Sequence, residues 1–399
     1  MPEVFSLSQS PITSHSFNAD RSQLAVSLNS NDAQILTRQG NEWVPEVTLS
    51  EHDKLITSID WAPSSNRIVT CSQDRNAYVW QEQPDPETGR LVWKPTLVLL
   101  RINRAATYVK WSPREDKFAV ASGARAIAIC SFDPENNWWV SKLLKKPIRS
   151  TVLSVDWHPN NVLLAAGSAD MKARVFSAYI KEVDERPSPT VWGSKLPFNT
   201  ICGEYASPAG GWVHTVGFSP SGDVLAFASH DSSINIVYPG GPAIYNIRMP
   251  TLPLVSLTWT AEDTIVAAGH DCRPLVFSGS EAGWQEAGTL DDATSKSAES
   301  RSAFGGNSSV GRLKAGAFAT FRDADSRGQS GISGQTSASG DTKLHTIHQN
   351  TITNVRPYEY SGAGVVSKVS TSGVDGNLVI WDVNAVSALT SRLGAAHLR

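Results

Sequence analysis

The sequence predicts an all-β fold, a seven-bladed β-propeller, and three observations predict it. A module of three strands joined by two short turns recurs seven times along the 399 residues. Its first strand ends on an aromatic residue in five copies, Trp61, Trp111, Trp157, Phe218 and Trp259, at separations of 50, 46, 61 and 41 residues. An Asp lies six positions before a closing aromatic or aliphatic residue in five copies as well. The pairs are Asp74 and Trp80, Asp170 and Phe176, Asp231 and Val237, Asp271 and Phe277, Asp375 and Trp381. Four-stranded propeller blades recur at about 40 to 45 residues, so the larger separations mark loop insertions.

The clearest module is Thr151–Phe176, TVLSVDWHPNNVLLAAGSADMKARVF. Val152, Ser154 and Asp156 alternate with Leu153, Val155 and Trp157, the period of a strand with two unlike faces. His158-Pro159-Asn160-Asn161 supplies turn-forming residues, and the unbroken apolar run Val162–Ala166 suits a strand covered on both sides. Gly167-Ser168-Ala169-Asp170 makes a second turn before alternation resumes at Lys172. A three-stranded meander cannot bury both of its faces alone. The neighbours it needs are its own copies: His15–Leu36, His52–Trp80, Tyr108–Cys130, Val213–Val237, Val255–Phe277 and Thr351–Asp382.

The fourth strand of each blade is expected between modules, as at Trp43–Leu49, Val92–Leu99, Trp138–Leu144 and Ala243–Ile247. An open edge strand invites aggregation. The short segment Glu3–Leu7 is therefore expected to complete the last blade as its outer strand. The propeller then spans residues 1–383. In the remaining 384–399, Val386, Leu389 and Leu393 share helical spacing and suggest a short amphipathic helix or tail.

Composition narrows the function. Hydrophobic residues make up 40% of the chain and supply ample core, and the 13 tryptophans imply a repeated packing role. A net charge of −3 gives no global field for nucleic acid or an anionic membrane surface. Cys71, Cys130, Cys202 and Cys272 form no C-x-x-C pair, and most sit in or beside apolar strands, which suits reduced thiols in a reducing compartment. No signal-peptide build opens the chain, and no apolar run reaches the ~18 residues of a membrane helix. A soluble intracellular protein is the expectation.

Catalytic, cofactor and metal motifs are missing from the sequence. There is no P-loop, G-x-S-x-G or H-E-x-x-H, and the one close histidine pair, His345 and His348, has no third ligand at metal-site spacing. An enzyme on this scaffold would need polar groups converging on the central channel.

Three insertions interrupt the modules. Gln81–Arg90 is an ordinary Pro- and Gly-bearing loop. Ala178–Gly211 is longer, and 278–344 is longest, rich in Ser, Gly, Ala and Thr and expected to be largely flexible. Inside it, 310–322 reads VGRLKAGAFATFR. Val310, Leu313, Ala317 and Phe321 share one helical face, which Phe318 widens, while Arg312, Lys314 and Arg322 add charge. Such a stripe either orders on a partner or packs back on its own propeller. A second feature is local basicity on the third and fourth modules, from Arg101 to Arg174, including Lys145, Lys146 and Arg149. This is either scattered solvated charge or a docking surface for an acidic segment, with Trp138 or Trp139 as an aromatic anchor.

The Asp-to-aromatic spacing resembles the signature of WD repeats. The resemblance implies a buried network in which a loop His, a turn Asp, a Ser or Thr and the closing Trp bond one another. His52, Asp74 and Trp80, with Ser72 or Thr70, fit it best, and Asp170, Asp231, Asp271, Asp375 and Trp381 mark the other copies. Ala124 stands where the third module would carry its Asp, and Cys130 where it would carry its Trp. Residues 138–198, WWVSKLLKKPIRS through SKLPF, together with GGWVH at 210–214 and AAGHDCRPLVF at 267–277, resemble the WD-repeat subunit family of the actin-related protein two/three complex, which nucleates branched actin filaments. What the resemblance implies is a non-catalytic scaffold in the cytoplasm, at the actin cytoskeleton and its cortical patches. Its propeller would join the other subunits of the complex. Its insertion would reach the mother filament, with contact assigned to Leu313, Phe318 and Phe321. One face would receive the acidic tails of nucleation-promoting factors, with docking assigned to Lys145, Lys146, Arg149, Trp138 and Trp139. The alternative is a WD-repeat adaptor of a coat or nuclear-pore assembly.

Overall fold

A computed structural model of the chain describes residues 2–194, 196–241, 244–291, 344–362 and 364–383. The chain divides into two units, residues 1–290 with 350–399, and Asp291–Gln349. In the second, the described residues are Asp291 and 344–349, where Asp291 accepts the Ile347 N–H at 2.7 Å. The stripe residues Leu313, Phe318 and Phe321, and the tail 384–399, lie outside the described residues.

The first unit holds seven antiparallel four-stranded sheets, each running in chain order from first strand to fourth except the last. The first strands, which line a central channel, are Ser14–Phe17, Ile56–Ala62, Ala106–Trp111, Val152–Trp157, Val213–Phe218, Leu254–Ala261 and Ile352–Tyr360. The outer strands of blades 1 to 6 are Glu42–Ser50, Leu91–Val98, Trp138–Leu144, Ile201–Tyr205, Ile244–Arg248 and Gly283–Thr289. In blade 7 the outer strand comes from the other end of the chain. Glu3, Val4, Phe5 and Ser6 pair with Ile380, Val379, Leu378 and Asn377. The ring is thereby latched by backbone hydrogen bonds between distant segments. Gly376 makes the latch possible: its φ of 73° is left-handed, and a Cβ there would meet the Ser8 carbonyl at 1.8 Å.

Each apolar cluster is shared by two adjacent blades, which explains why a blade needs neighbours. One joins Val69, Val79 and Val98 of blade 2 to Val109, Phe118 and Val120 of blade 3. Another joins Ile127 and Ile129 of blade 3 to Val155, Leu164 and Phe176 of blade 4. The second strands are sandwiched, so Lys117–Ser122 and Leu163–Ser168 are buried at every position. Burying each such aliphatic side chain contributes about 1.5–3 kcal/mol.

The tryptophans do repeat one role. The first-strand Trp stacks edge-on against the outer-strand Trp of its own blade: Trp61 on Trp93 at 5.6 Å, Trp111 on Trp139 at 5.6 Å, Trp259 on Trp284 at 5.5 Å. Trp157 and Trp259 also donate their Nε1–H to Lys110 and Gly217 carbonyls of the preceding blade, at 3.0 and 2.9 Å. One side chain type thus ties a blade across its width and to its neighbour.

The boundary of the longest insertion needs correction. Residues 278–289 belong to blade 6, whose third strand runs to Ser280 and whose outer strand is Gly283–Thr289. The Ser- and Gly-rich composition hides a strand there, but Trp284 packs on Trp259 as the other outer-strand tryptophans do.

Candidate functional site

Several polar sets of the propeller are closed by their own partners, and a set of surface cations among the described residues is not. Blade 2 shows the closed arrangement. His52 bonds Asp74 through Nδ1 at 2.7 Å and Thr70 through Nε2 at 2.9 Å, while the Trp80 Nε1–H donates to the same Thr70 hydroxyl at 2.9 Å. Thr70, rather than Ser72, is the hub; the Ser72 hydroxyl instead donates to the Lys54 carbonyl at 2.7 Å. Burial pushes the His52 pKa below its ordinary value, against the opposing pull of Asp74. A neutral, fully bonded imidazole in this place holds a blade together. Blade 7 repeats the outer half of the network, with Trp381 donating to Thr371 at 2.7 Å.

The other turn aspartates are engaged in their own ways. Asp170 takes both Nη1 contacts of Arg174 at 2.9 Å, and Arg174 also reaches Glu204 at 2.8 Å. Asp231 accepts from the Ser233 hydroxyl at 2.6 Å and the Ser207 hydroxyl. Asp271 accepts the Leu252 N–H at 2.9 Å, and Asp375 the Asn377 N–H at 3.2 Å.

Charged groups do converge on the central channel, a cavity of about 640 Å³. Asp60 accepts Arg356 at 2.6 Å and the Trp111 N–H at 2.8 Å. Asp156 accepts Lys110 at 2.5 Å and the Phe218 N–H at 2.7 Å. Each carboxylate therefore bridges blades and is paired with a cation, which suits a staple. Burial pushes the Cys71 thiol up to about 12 and the Cys202 thiol up to about 11, away from the thiolate form. No cluster of three metal-ligating side chains occurs among the described residues, nor any helix long and apolar enough to cross a membrane.

Two polar sets escaped sequence reading. Lys117 and Asp184 form a buried ion pair, with Asp184 also accepting the Ile180 N–H at 2.8 Å and the Asn161 amide at 3.0 Å. This pair anchors the start of the 178–200 loop to blade 3. Further along the same loop, Trp192 is buried against Phe218 and donates to the Gly222 carbonyl at 2.7 Å. The second set is histidine. His214 and His230 share one hydrogen bond at 2.8 Å, and Trp212 lies 5.5 Å from the His230 ring. Burial and the nearby His230 and His270 rings push His214 down to about 4.

The basic face divides when its partners are counted. Lys110, Arg114, Lys142, Lys172 and Arg174 all have carboxylate partners, Asp156, Glu185, Glu182 and Glu204 among them. Among the described residues no ion pair involves Arg101, Arg104, Lys145, Lys146 or Arg149, nor Arg125, which sequence reading had passed over. All six are exposed. They line two adjoining cavities between blades 3 and 4, of about 770 and 560 Å³, whose common walls include Asn103, Ala124 and Arg125. Among the described residues the walls of these two cavities carry six cations and no carboxylate, a surface that attracts negative charge.

The aromatic anchors assigned to this surface do not belong to it. Trp139 is buried, its ring packed against Trp111, Phe118 and Phe132. Neighbouring residues on a strand face opposite ways, so only one of the two tryptophans could be outward. Trp138 is that one, 57% exposed, but it opens the strand whose other end is Leu144. At about 3.3 Å per residue the two ends are roughly 20 Å apart. Trp138 pairs with Asp133, far from Lys145 and Lys146.

The WD domain, G-beta repeat family matches residues 43–81 and 142–177. Curated relatives match nearly the whole chain. The protein named actin-related protein 2/3 complex subunit 1 in Schizosaccharomyces pombe is 49% identical over 390 residues, covering 95% of this chain and 98% of that protein. Actin-related protein 2/3 complex subunit 1A-B of Xenopus laevis is 48% identical over 380 residues, 95% of each chain. The Saccharomyces cerevisiae protein named actin-related protein 2/3 complex subunit 1 is 39% identical over 392 residues, covering 95% of this chain and 97% of that one.

Proposed function

The chain belongs to the family of subunit 1 of the actin-related protein 2/3 complex, and from that membership we propose that it is a non-catalytic scaffold subunit whose blade 3–4 face receives the acidic tails of nucleation-promoting factors. Membership sets aside the coat and nuclear-pore alternative. It also supports a place in the cytoplasm with the actin cytoskeleton, cortical patches included. The closed polar networks support rigidity: the channel carboxylates bind blade to blade, while turn aspartates and tryptophan stacks hold single blades together.

The observation that carries the docking role is the set of six cations, with no ion pair among the described residues, around two adjoining cavities. An acidic segment is steered to such a surface and bonded there by charge-assisted hydrogen bonds. Lys145, Lys146 and Arg149 remain the proposed docking residues, joined by Arg101, Arg104 and Arg125. Trp138 and Trp139 drop out. Filament contact by Leu313, Phe318 and Phe321 rests on the amphipathic pattern of 310–322 and on the family.

Charge reversal at Lys145, Lys146 and Arg149 together tests the docking. Affinity for an acidic activator tail should fall at least tenfold, with a shallower salt dependence, while the complex still assembles. Unchanged affinity would remove the docking role. Replacing Leu313, Phe318 and Phe321 by Ala should weaken branching and spare assembly; loss of assembly would assign them to packing.

A further inference from the structure

The turns of blades 2, 3 and 4 have the same backbone. Gln73, Gly123 and Ala169 donate their N–H groups to Leu55, Ala105 and Thr151 at 3.0, 2.9 and 2.8 Å. Arg75, Arg125 and Met171, two positions later, have φ of 76°, 56° and 68°. Asp74, Ala124 and Asp170 are therefore equivalent positions. In blade 2 the carboxylate accepts the Asp53 N–H at 3.2 Å, and in blade 4 it accepts the Arg149 N–H at 2.9 Å. Both donors stand two residues before the turn's carbonyl acceptor.

In blade 3 the corresponding donor is the Asn103 N–H, and the carboxylate is missing because the residue is Ala124. Among the described residues the Asn103 N–H has no acceptor. Asn103, Ala124 and Arg125 line both cavities of the basic cleft. Blade 3 thus keeps the frame of an anion-holding turn, lacks the anion, and surrounds the gap with guanidinium and ammonium groups that form no ion pair among the described residues.

We propose that this cleft binds an acidic segment by taking one of its carboxylates into the place that Ala124 leaves open, against the Asn103 N–H and beside Arg104 and Arg125. The proposal rests on the reading above that this face receives acidic tails, and it names the contact that does so. A carboxylate is the occupant because it is the group that the equivalent turns hold. The segment's other acidic residues lie along the rim formed by Arg101, Lys145, Lys146 and Arg149.

The test installs the missing group. A fluorescent glutamate octapeptide is titrated against the full chain in its complex, at fixed salt, for wild type, Ala124→Asp, Ala124→Asn and Ser150→Asp. Ser150 lines the same cavity, so Ser150→Asp adds the same charge without reproducing the turn. Ala124→Asp supplies an internal occupant and should lower affinity about tenfold, the worth of one charge-assisted hydrogen bond. Ala124→Asn, which fills the place without charge, should lower it about threefold, and Ser150→Asp by less than that. Equal effects of Ala124→Asp and Ser150→Asp, or wild-type affinity in Ala124→Asn, would overturn the proposal. Either result alongside lost binding in the triple reversal at Lys145, Lys146 and Arg149 leaves the docking face standing and removes only this contact. Full binding in the triple reversal fails the docking reading itself.

Discussion

The turn of blade 2 and the turn of blade 3 occupy equivalent places in the propeller and do opposite things with them. In blade 2, His52, Asp74, Thr70 and Trp80 satisfy one another, and nothing remains to bind. In blade 3, Ala124 and Cys130 stand at the positions of Asp74 and Trp80, and six cations with no ion pair among the described residues line the cavities beside Ala124. A repeat protein can keep its frame while giving up one blade's internal bonds, because the apolar clusters between blades carry the stability. The position where the pattern lapses is then where a partner can supply the missing group.

That contrast yields predictions in descending size. Closed sets should cost stability when broken, and the most deeply buried should cost most. Lys117→Met leaves Asp184 buried with its charge uncompensated, and chemical denaturation of the full chain should register a loss of about 3–5 kcal/mol. Thr70→Val removes the hub of the blade 2 network and leaves the His52 Nε2 and the Trp80 Nε1–H without partners. The same measurement should show about 2–4 kcal/mol lost, with acidic-peptide affinity unchanged.

The histidine pair predicts a pH dependence. With His214 held near 4 in the folded chain, the unfolded chain takes up its proton first, at about 6.5. Stability from this site is therefore complete above 6.5, falls as the pH drops from 6.5 to about 4, and is level below that. Partial exposure limits the loss to about 1–2 kcal/mol. Unfolding midpoints across that range should flatten in His214→Gln; an unaltered slope would place the titration elsewhere. The smallest expected effect belongs to the open set. Charge reversal at Lys145, Lys146 or Arg149 should leave stability within about 0.5 kcal/mol, since none of these side chains has an ion-pair partner to lose among the described residues.

Much of this was legible in the sequence, and the misses have physical reasons. Period-two alternation, the first-strand aromatics and the spaced aspartates exposed the seven blades, because a blade must present the same faces to its neighbours each time. The blade 2 network was readable except for the choice of Thr70 over Ser72, which share one face of the strand, so that the choice depends on which lies level with His52 and Trp80. Alternation could have separated Trp138 from Trp139, since adjacent strand residues point opposite ways. Strand length could have separated Trp138 from Lys145. The outer strand 283–289 was hidden by its Gly-rich composition, though Trp284 kept the recurring tryptophan. Lys117 and Asp184 are 67 residues apart, and no local pattern joins them. The absence at Ala124 was visible as a lapse in the repeat. Its consequence, an Asn103 N–H without an acceptor beside Arg125, needed the fold.

The most direct measurement sets the two turns side by side: thermal unfolding and glutamate-octapeptide titration of Thr70→Val and Ala124→Asp in the full chain within its complex. The account predicts that Thr70→Val loses stability and keeps its affinity, while Ala124→Asp keeps its stability and loses about tenfold in affinity. Both variants losing stability with binding intact would contradict it, because equivalent turns would then serve the same structural purpose.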